Sequence, residues 1–178
     1  YNPLDNDVLL DDALDALATK AEKDSLKNIV TTTTVNRNFS LSGVHVDIAT
    51  KHHPMPYDPA NFTFSYSHSH AYSSGETTMW EKNDTWKFAA NYDYSPVYEP
   101  FAPFKKLRDK NGWLNILQQF KFNWLPQSLN LSSDITRSYY ELQERDIDNL
   151  NDRSLPLTFS SDFLWNRSMM LNWDFTPN

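Results

Sequence analysis

Hydrophobic and polar residues alternate with a period of two along most of this chain. Between residues 62 and 73 the even positions are aromatic residues or histidine, and the odd positions are Ser, Thr or Ala. Similar alternation recurs in residues 36–48, 86–94, 120–124, 127–147 and 157–175. Because successive side chains of a β-strand point to opposite faces, the pattern predicts about six long antiparallel strands, each with one apolar and one polar face.

The boundaries between these strands are less clearly marked. The alternation over residues 36–48 changes parity at Gly43, which is typical of a β-bulge. The turn that follows the first aromatic strand could lie at Ser74-Gly75 or near Asn83-Asp84, since both dipeptides suit turns. Residues 148–154 are polar and predict a hairpin loop before the last strand.

The N-terminal residues follow a helical period instead. Apolar residues recur at helical spacing at Leu10, Ala13, Leu14, Leu17 and Ala21. The spacing predicts one amphipathic helix from Asp7 to about Asn28, so we assign residues 1–28 to a helical insertion and residues 29–178 to the strands. A narrow Ala/Leu stripe favours packing on a neighbouring element, because a helix at a membrane surface would be basic and carry Trp or Phe.

The residue types on the two strand faces predict the fold class. A soluble sandwich has short strands and a Val/Ile/Leu core, whereas these strands are long and aromatic on one face. An aromatic face opposite a Ser/Thr/Asn face is typical of strands with lipid outside and a wet lumen inside. The predicted fold is therefore all-β, with long antiparallel strands that form part of a large transmembrane β-barrel. The smallest outer-membrane barrels need about eight strands to close. About six strands therefore predict that this chain is a segment of a larger barrel.

This interpretation assigns each face of the predicted strands to an environment. The lipid-facing candidates are Phe62, Phe64, Tyr66, Trp86, Phe88, Phe120, Phe122, Trp124, Met169, Leu171, Trp173 and Phe175. The lumen-facing candidates are Ser65, Lys87, Asn91, Lys121, Asn130, Asp134, Asn172 and Asp174.

Composition excludes several classes of function. The chain has no Cys, which excludes disulfides and thiol chemistry, and no apolar run approaches the ~18 residues of a transmembrane helix. The net charge is −7, and the one basic cluster, residues 105–110, is too small for a nucleic-acid interface. Nucleic acid is therefore not a predicted partner.

No group of residues predicts catalysis or a cofactor. His68 and His70 share a strand face and suggest a transition-metal site, but surface or aromatic-belt histidines are the simpler interpretation. Glu141, Glu144 and Asp146 could supply a glycosidase pair, but they fit a solvated rim better. The sequence thus predicts no enzyme, no metal and no cofactor.

Five stretches of the chain, at residues 3–14, 57–67, 122–126, 134–141 and 163–167, stand out as a set. They begin Pro3-Leu4-Asp5-Asn6-Asp7, Tyr57-Asp58-Pro59, Phe122-Asn123-Trp124, Asp134-Ile135-Thr136-Arg137 and Phe163-Leu164-Trp165. These stretches resemble the SprA/Sov family of Bacteroidota and occur in family order. The resemblance implies an outer-membrane translocon of the type IX secretion system, a very large barrel that exports folded proteins from the periplasm to the cell surface. It also implies, as partners, a PorV-type shuttle barrel protein, a periplasmic plug protein and cargo with a C-terminal signal. The rest of the same barrel and membrane lipid would surround the segment.

Two alternatives remain open at the level of sequence. Another outer-membrane porin or transporter would share every wall feature described above. A soluble, aromatic-rich carbohydrate-binding β-sandwich would also expose Trp and Tyr platforms, although it would not need such long strands.

Overall fold

The structure is a computed structural model, and it describes residues 8–47, 55–104, 120–146 and 155–176. Two helices come first, α1 (Leu10–Asp15) and α2 (Lys20–Val30). Five strands follow: β1 (Thr33–Val44), β2 (Phe62–Ser74), β3 (Thr78–Tyr94), β4 (Ser128–Glu144) and β5 (Thr158–Asn172). A short 3-10 turn, Pro59–Asn61, precedes β2. None of the helices in the described ranges is both long and apolar enough to traverse a bilayer.

The single N-terminal helix of the sequence prediction is wrong, because the structure has two helices there. Thr19 has an extended backbone and caps α2: its hydroxyl accepts from the Glu22 amide at 3.3 Å, and its own amide donates to Glu22 Oε2 at 3.1 Å. This reciprocal capping box satisfies the backbone amides of Thr19 and Glu22, which in a continuous helix would donate to carbonyls of the preceding turn. Lys23 and Asp15 then link the two helices at 3.6 Å.

The five strands form one antiparallel sheet in the order β1-β2-β3-β4-β5, so every neighbour in the sheet is also a neighbour in sequence. The predicted all-β antiparallel fold is thereby confirmed. The sheet is open. Within the described ranges β1 pairs only with β2, and β5 only with β4.

The predicted sixth strand, over residues 120–124, is not a strand. Within the described ranges its β-bridge is the isolated one between Phe101 and Phe122, and the Asn123 amide donates to the Phe175 carbonyl at 2.8 Å. Alternation is present there, but a strand also needs a neighbour along its length to accept and donate its backbone hydrogen bonds. The five strands of the described ranges are 12 to 17 residues long, as the long alternating runs predicted.

The turn between β2 and β3 lies at Gly75, and β3 runs without interruption through Asn83-Asp84. The Gly75 amide donates to the Thr78 carbonyl at 2.9 Å, which closes a tight hairpin. A Cβ at Gly75 would lie 3.4 Å from Thr32 Oγ1, so the start of β1 packs against this turn. At the other end of β1, Gly43 lies where the alternation changes parity. Its φ of 67° is in the left-handed region, which glycine adopts readily. The predicted loop over residues 148–154 lies outside the described residues.

The chain divides into two compact units, and each strand contributes to both. Unit 1 comprises Tyr1–Leu41, Tyr66–Phe88 and Ile135–Leu164. Unit 2 comprises Ser42–Ser65, Ala89–Asp134 and Trp165–Asn178. Unit 1 thus contains the β2–β3 turn and the connection between β4 and β5 (residues 145–157), and unit 2 contains the connections that follow β1 and β3.

Candidate functional site

One face of the sheet carries most of the large rings, and we call it the aromatic face. It contains Phe39, Phe62, Phe64, Tyr66, Trp86, Phe88, Tyr92, Leu131, Trp165, Met169 and Leu171. Contacts between strands establish it: the ring centroids of Phe62 and Tyr92 are 5.0 Å apart, and those of Phe39 and Tyr66 are 6.2 Å apart. The aromatic face therefore combines odd-numbered residues of β1, β4 and β5 with even-numbered residues of β2 and β3.

Much of the aromatic face is exposed, and in β2 it is more exposed than the opposite face, whereas in β3 Trp86 and Tyr92 are half-buried. In β2, Phe62, Phe64 and Tyr66 are exposed, while Thr63 and Ser65 on the other face are half-buried. Across the described residues only one apolar side chain, Tyr94, is buried. A single sheet without a second layer cannot bury its apolar face by itself.

In unit 2 the aromatic face forms an apolar groove of about 430 Å³. Phe62, Tyr92, Leu131 and Met169 contribute its large apolar side chains. Arg167 also lines the groove, and its guanidinium lies 4.3 Å from the centre of the Trp165 ring, a cation–π arrangement.

The opposite face carries short polar side chains, and we call it the hydroxyl face. In unit 2, Ser132 and Ser168 hydroxyls lie 2.7 Å apart, and Asn172 Nδ2 donates to Ser128 Oγ at 3.0 Å. In unit 1, Ser69 Oγ donates to Asn38 Oδ1 at 2.7 Å. These bonds connect neighbouring strands, so several polar groups of the hydroxyl face are paired across strands.

Charged side chains concentrate in unit 1. On the aromatic face, Glu141 accepts from Lys82 Nζ at 3.4 Å and from the Tyr139 hydroxyl at 2.9 Å, and Trp80 Nε1 also donates to it. On the hydroxyl face, Ser73 and Tyr140 both donate to Glu81 at 3.1 Å. The Glu141 carboxylate of the predicted rim is therefore held by three donors rather than free in solvent.

Two histidines share one carboxylate on the aromatic face of unit 1. His70 Nδ1 lies 2.7 Å and His68 Nε2 lies 3.2 Å from the same oxygen of Asp84. His68 also stacks on Trp86, with ring centroids 5.1 Å apart and planes only 4° from parallel. Within the described ranges no group of three or more His, Asp or Glu residues is arranged to hold a metal ion.

His45, just beyond β1, has a defined electrostatic environment. Its Nδ1 lies 2.9 Å from the Gly43 carbonyl, and its Nε2 lies 3.3 Å from Asp47 Oδ1. The hydrogen bond to the Gly43 carbonyl raises the pKa of His45 above the ordinary value of 6.5, and the negative charge of Asp47 makes a smaller contribution in the same direction.

Residues 120–127 and the residues after β5 form a separate aromatic cluster in unit 2. Phe122 packs edge-on against Phe101 at 5.4 Å and stacks on Phe175 at 5.7 Å. Trp173 Nε1 donates to the Asn123 carbonyl at 3.0 Å. The predicted lipid-facing residues Phe120, Phe122, Trp173 and Phe175 thus come together here, outside the strands.

The remaining predicted residues divide between the strands and this cluster. The lipid-facing candidates within strands all lie on the aromatic face: Phe62, Phe64, Tyr66, Trp86, Phe88, Met169 and Leu171. Among the lumen-facing candidates, Ser65, Lys87, Asn91, Asn130, Asp134 and Asn172 lie in strands at positions of hydroxyl-face parity. Lys121, Trp124 and Asp174 lie outside strands, and Asp174 accepts from Gln127 Nε2 at 2.8 Å.

Sequence reasoning missed Asp84 as the partner of the two histidines. Asn83-Asp84 fits a turn as well as Ser74-Gly75 does, and a turn at residue 84 would direct its side chain away from the strand face. Once the turn is fixed at Gly75, Asp84 has the parity of Trp86 and Phe88 and must face the histidines. The position of the turn was therefore the missing signal.

In comparisons with known proteins, no family model and no curated protein sequence matches this chain.

Proposed function

We propose that this chain is a wall segment of a protein-conducting barrel in the outer membrane, of the type IX translocon kind. The exposed aromatic face opposite a hydrogen-bonded hydroxyl face carries the proposal. In water the exposed rings would be unfavourable, because each Å² of apolar surface that stays exposed lacks the roughly 25 cal/mol of stabilisation that burial provides. In a barrel wall the same rings contact lipid, and the short polar side chains contact a water-filled lumen.

The two outer strands support a segment rather than a complete barrel. All 15 residues of β5 are exposed, as are nearly all of β1, whereas most residues of the three inner strands are half-buried. Unpaired strand edges are not tolerated in lipid, so β1 and β5 need further strands. In the proposal these come from the rest of the same barrel.

The translocon assignment within the barrel class depends on the resemblance to the SprA/Sov family. The related stretches include part of β2 and part of β4, which are wall strands in the proposal. On this basis the hydroxyl face lines a lumen wide enough for folded cargo. A PorV-type shuttle barrel and a periplasmic plug protein would be partners of the complete protein in a Gram-negative outer membrane.

Site-specific photo-crosslinking tests the assignment of the lumen. A benzoylphenylalanine replaces Asn91 on the hydroxyl face of β3, and the matched control replaces Phe88 on the aromatic face of the same strand. Cells secrete a cargo protein that carries a C-terminal secretion signal, and the cross-linked products are identified by mass spectrometry. We expect cargo to cross-link from residue 91 and not from residue 88.

Two results would contradict the proposal. If cargo is secreted normally but cross-links from neither position, the chain belongs to a porin or transporter that does not conduct protein. If the chain fractionates with soluble proteins and binds polysaccharide, the carbohydrate-binding alternative is correct.

A further inference from the structure

Five ionisable residues lie together on the aromatic face of unit 1, and we call them the polar patch: Arg37, His68, His70, Asp84 and Arg137. Arg37 and both histidines line one open groove of about 320 Å³. Asp84 accepts from both histidines, His68 stacks on Trp86, and the Arg137 guanidinium lies 5.7 Å from the centre of the Trp86 ring. The polar patch therefore extends across four adjacent strands, β1 to β4.

The polar patch lies well inside its strands. In β1 four residues precede Arg37 and seven follow it, and in β2 six residues lie on each side of His68. A strand crosses a bilayer with about 9–11 residues, and irregular backbone is not exposed to lipid within the hydrocarbon region. Any stretch of that length within β1 contains Arg37, and any within β2 contains His68. In a membrane wall the polar patch is therefore at hydrocarbon depth.

Bare lipid is an unfavourable environment for the polar patch. Ionisable groups inside a membrane almost always face protein or a water-filled cavity and pair with one another, and arginine is strongly disfavoured on the lipid side of a barrel near mid-bilayer. His68 and His70 share Asp84, but among the described residues neither Arg37 nor Arg137 forms an ion pair. Both arginines are exposed. This part of the aromatic face therefore needs a cover that supplies negative charge.

The aromatic face of unit 2 differs in composition. Its groove of about 430 Å³ is formed mainly by large apolar side chains, such as Phe62 and Met169. Among the described strand residues of unit 2, this face carries a single charged side chain, Arg167, which stacks on Trp165. Contact with lipid therefore suits unit 2, and the need for a polar cover is specific to unit 1.

We propose that a second membrane-embedded protein covers the polar patch and presents carboxylates to Arg37 and Arg137. The inference rests on the proposed function, because only a wall in a bilayer places the polar patch in hydrocarbon. Lipid chains carry no acceptor at this depth, so the negative charge must come from protein. The remaining strands of the same barrel extend the sheet at its edges and do not lie on its outer face. Carboxylates fit because guanidinium groups bind them through two parallel hydrogen bonds.

Site-specific photo-crosslinking of the intact protein in native outer membranes tests the proposal. A benzoylphenylalanine replaces Tyr66, which lies two residues from His68 on the aromatic face. The matched control replaces Ser67, the next residue along β2, on the hydroxyl face. Cross-linked peptides are identified by mass spectrometry. We expect residue 66 to cross-link to a peptide of a second membrane protein that contains Asp or Glu, and residue 67 not to do so.

Substitutions of charge connect this adduct to the two arginines. Arg37→Gln/Arg137→Gln should lower the yield about tenfold, because the loss of one charge-assisted hydrogen bond already weakens binding by about that factor. Arg37→Lys/Arg137→Lys keeps the charges and should retain much of the adduct. Lys87→Gln is the matched control, since Lys87 adjoins Trp86 on the hydroxyl face, and it should leave the yield unchanged. Arg37→Glu/Arg137→Glu should abolish the adduct, and replacing the carboxylates of the identified peptide by arginine should restore it.

Three results would overturn the proposal. If residue 66 forms adducts with lipid alone, the polar patch has no protein cover. If a protein adduct forms in equal yield in wild type and in the double Gln variant, the contact between arginine and carboxylate is wrong. If residue 66 cross-links to another strand of the same polypeptide, the cover is part of the barrel and not a second protein.

A second measurement separates failure of this inference from failure of the proposed function. Nitroxide labels on Tyr66→Cys, Leu171→Cys and Asn172→Cys report accessibility to oxygen, which is high in lipid, and to a water-soluble nickel chelate. A covered residue 66 is shielded from both probes. If residues 66 and 171 are in lipid and residue 172 is in water, only the cover is wrong. If residues 171 and 172 contact water equally, the wall assignment is wrong as well.

Discussion

At the scale of single residues, His45 gives a pH-dependent prediction. Because the Gly43 carbonyl and the Asp47 carboxylate favour its charged form, the pKa of His45 is higher in the folded chain than in the unfolded chain. The resulting stabilisation is fully present below the unfolded value of 6.5 and is lost as pH rises through the folded pKa. Asp47→Asn should lower the pKa of His45 while leaving part of the shift, since the carbonyl contact remains.

Deuterium exchange at the imidazole Cε1 as a function of pH, followed by mass spectrometry, measures the pKa of His45 in membranes. Asp58→Asn is the control, because Asp58 accepts from the Met55 amide and does not contact His45. An unchanged pKa of His45 in Asp47→Asn would show that the carboxylate contact is not formed.

Two adjacent residues of β5 give the second residue-scale prediction. Leu171 lies on the aromatic face, and Asn172 donates to Ser128 on the hydroxyl face. Leu171→Arg should cost roughly 2–4 kcal/mol if that position faces mid-bilayer, whereas Asn172→Arg should be mild. Urea-induced unfolding in lipid bilayers measures both, and equal tolerance at the two positions contradicts the facial assignment.

At the scale of elements, the capping box at the start of α2 can be removed with one substitution. Thr19→Ala deletes the hydroxyl that accepts from the Glu22 amide and should destabilise α2 by about 0.5–2 kcal/mol. Faster amide hydrogen exchange in residues 20–25 is the expected result. Thr31→Ala at the far end of the helix is the control, and equal effects of the two substitutions would mean that the box contributes nothing.

If the chain is a membrane wall, the three-residue β2–β3 turn and the longer β1–β2 connection, at opposite ends of β2, predict on which side of the membrane each end of that strand lies. A thiol at Thr77→Cys, in the short β2–β3 turn, should react with a membrane-impermeant maleimide only after the outer membrane is permeabilised. Tyr57 lies in the long β1–β2 connection and is 78% exposed, so a thiol introduced by Tyr57→Cys should react in intact cells. The chain itself has no Cys to interfere. The reverse pattern would place the β2–β3 turn outside the cell. The end of α2 would then lie outside as well, because Thr32, between α2 and β1, packs against Gly75 in that turn.

The elements differ in how far the sequence determined them. Strong period-two alternation predicted β2, β4 and β5 to within a few residues, because both faces of each strand have consistent chemistry. The break between α1 and α2 had a sequence signal, the Thr19-Lys20-Ala21-Glu22 capping box, but the continuous apolar stripe masked it. Alternation at residues 120–124 failed as a strand signal because strand formation depends on a partner that local sequence does not specify.

The candidate site was predictable as faces but not as contacts. Parity assigned Phe62, Trp86 and Leu171 to one side of their strands, and cross-strand ring contacts agree for Phe62 and Trp86. The Asp84–histidine group depends on the register between strands, which a single sequence with an ambiguous turn does not determine. Whether the aromatic face contacts lipid stays a prediction.

At the scale of the whole molecule, the open sheet predicts the behaviour of the isolated chain. With the aromatic face and both edge strands exposed, the 178-residue chain should aggregate in detergent-free buffer and show no sharp near-UV circular dichroism. Light scattering and circular dichroism with and without detergent measure this. A soluble monomer that unfolds cooperatively would contradict the membrane-wall proposal and favour the carbohydrate-binding alternative.

The sheet order has a consequence for how the protein is built. Because β1 to β5 pair strictly in the order of the chain, no strand must wait for a distant segment before it finds its first neighbour. Each newly delivered strand adds to the edge left by the previous one, so loop-closure entropy stays small except at the longer connections. A meander of this kind suits stepwise assembly, in which the growing edge is always the most recently arrived strand, and within the described residues β5 keeps one unpaired edge.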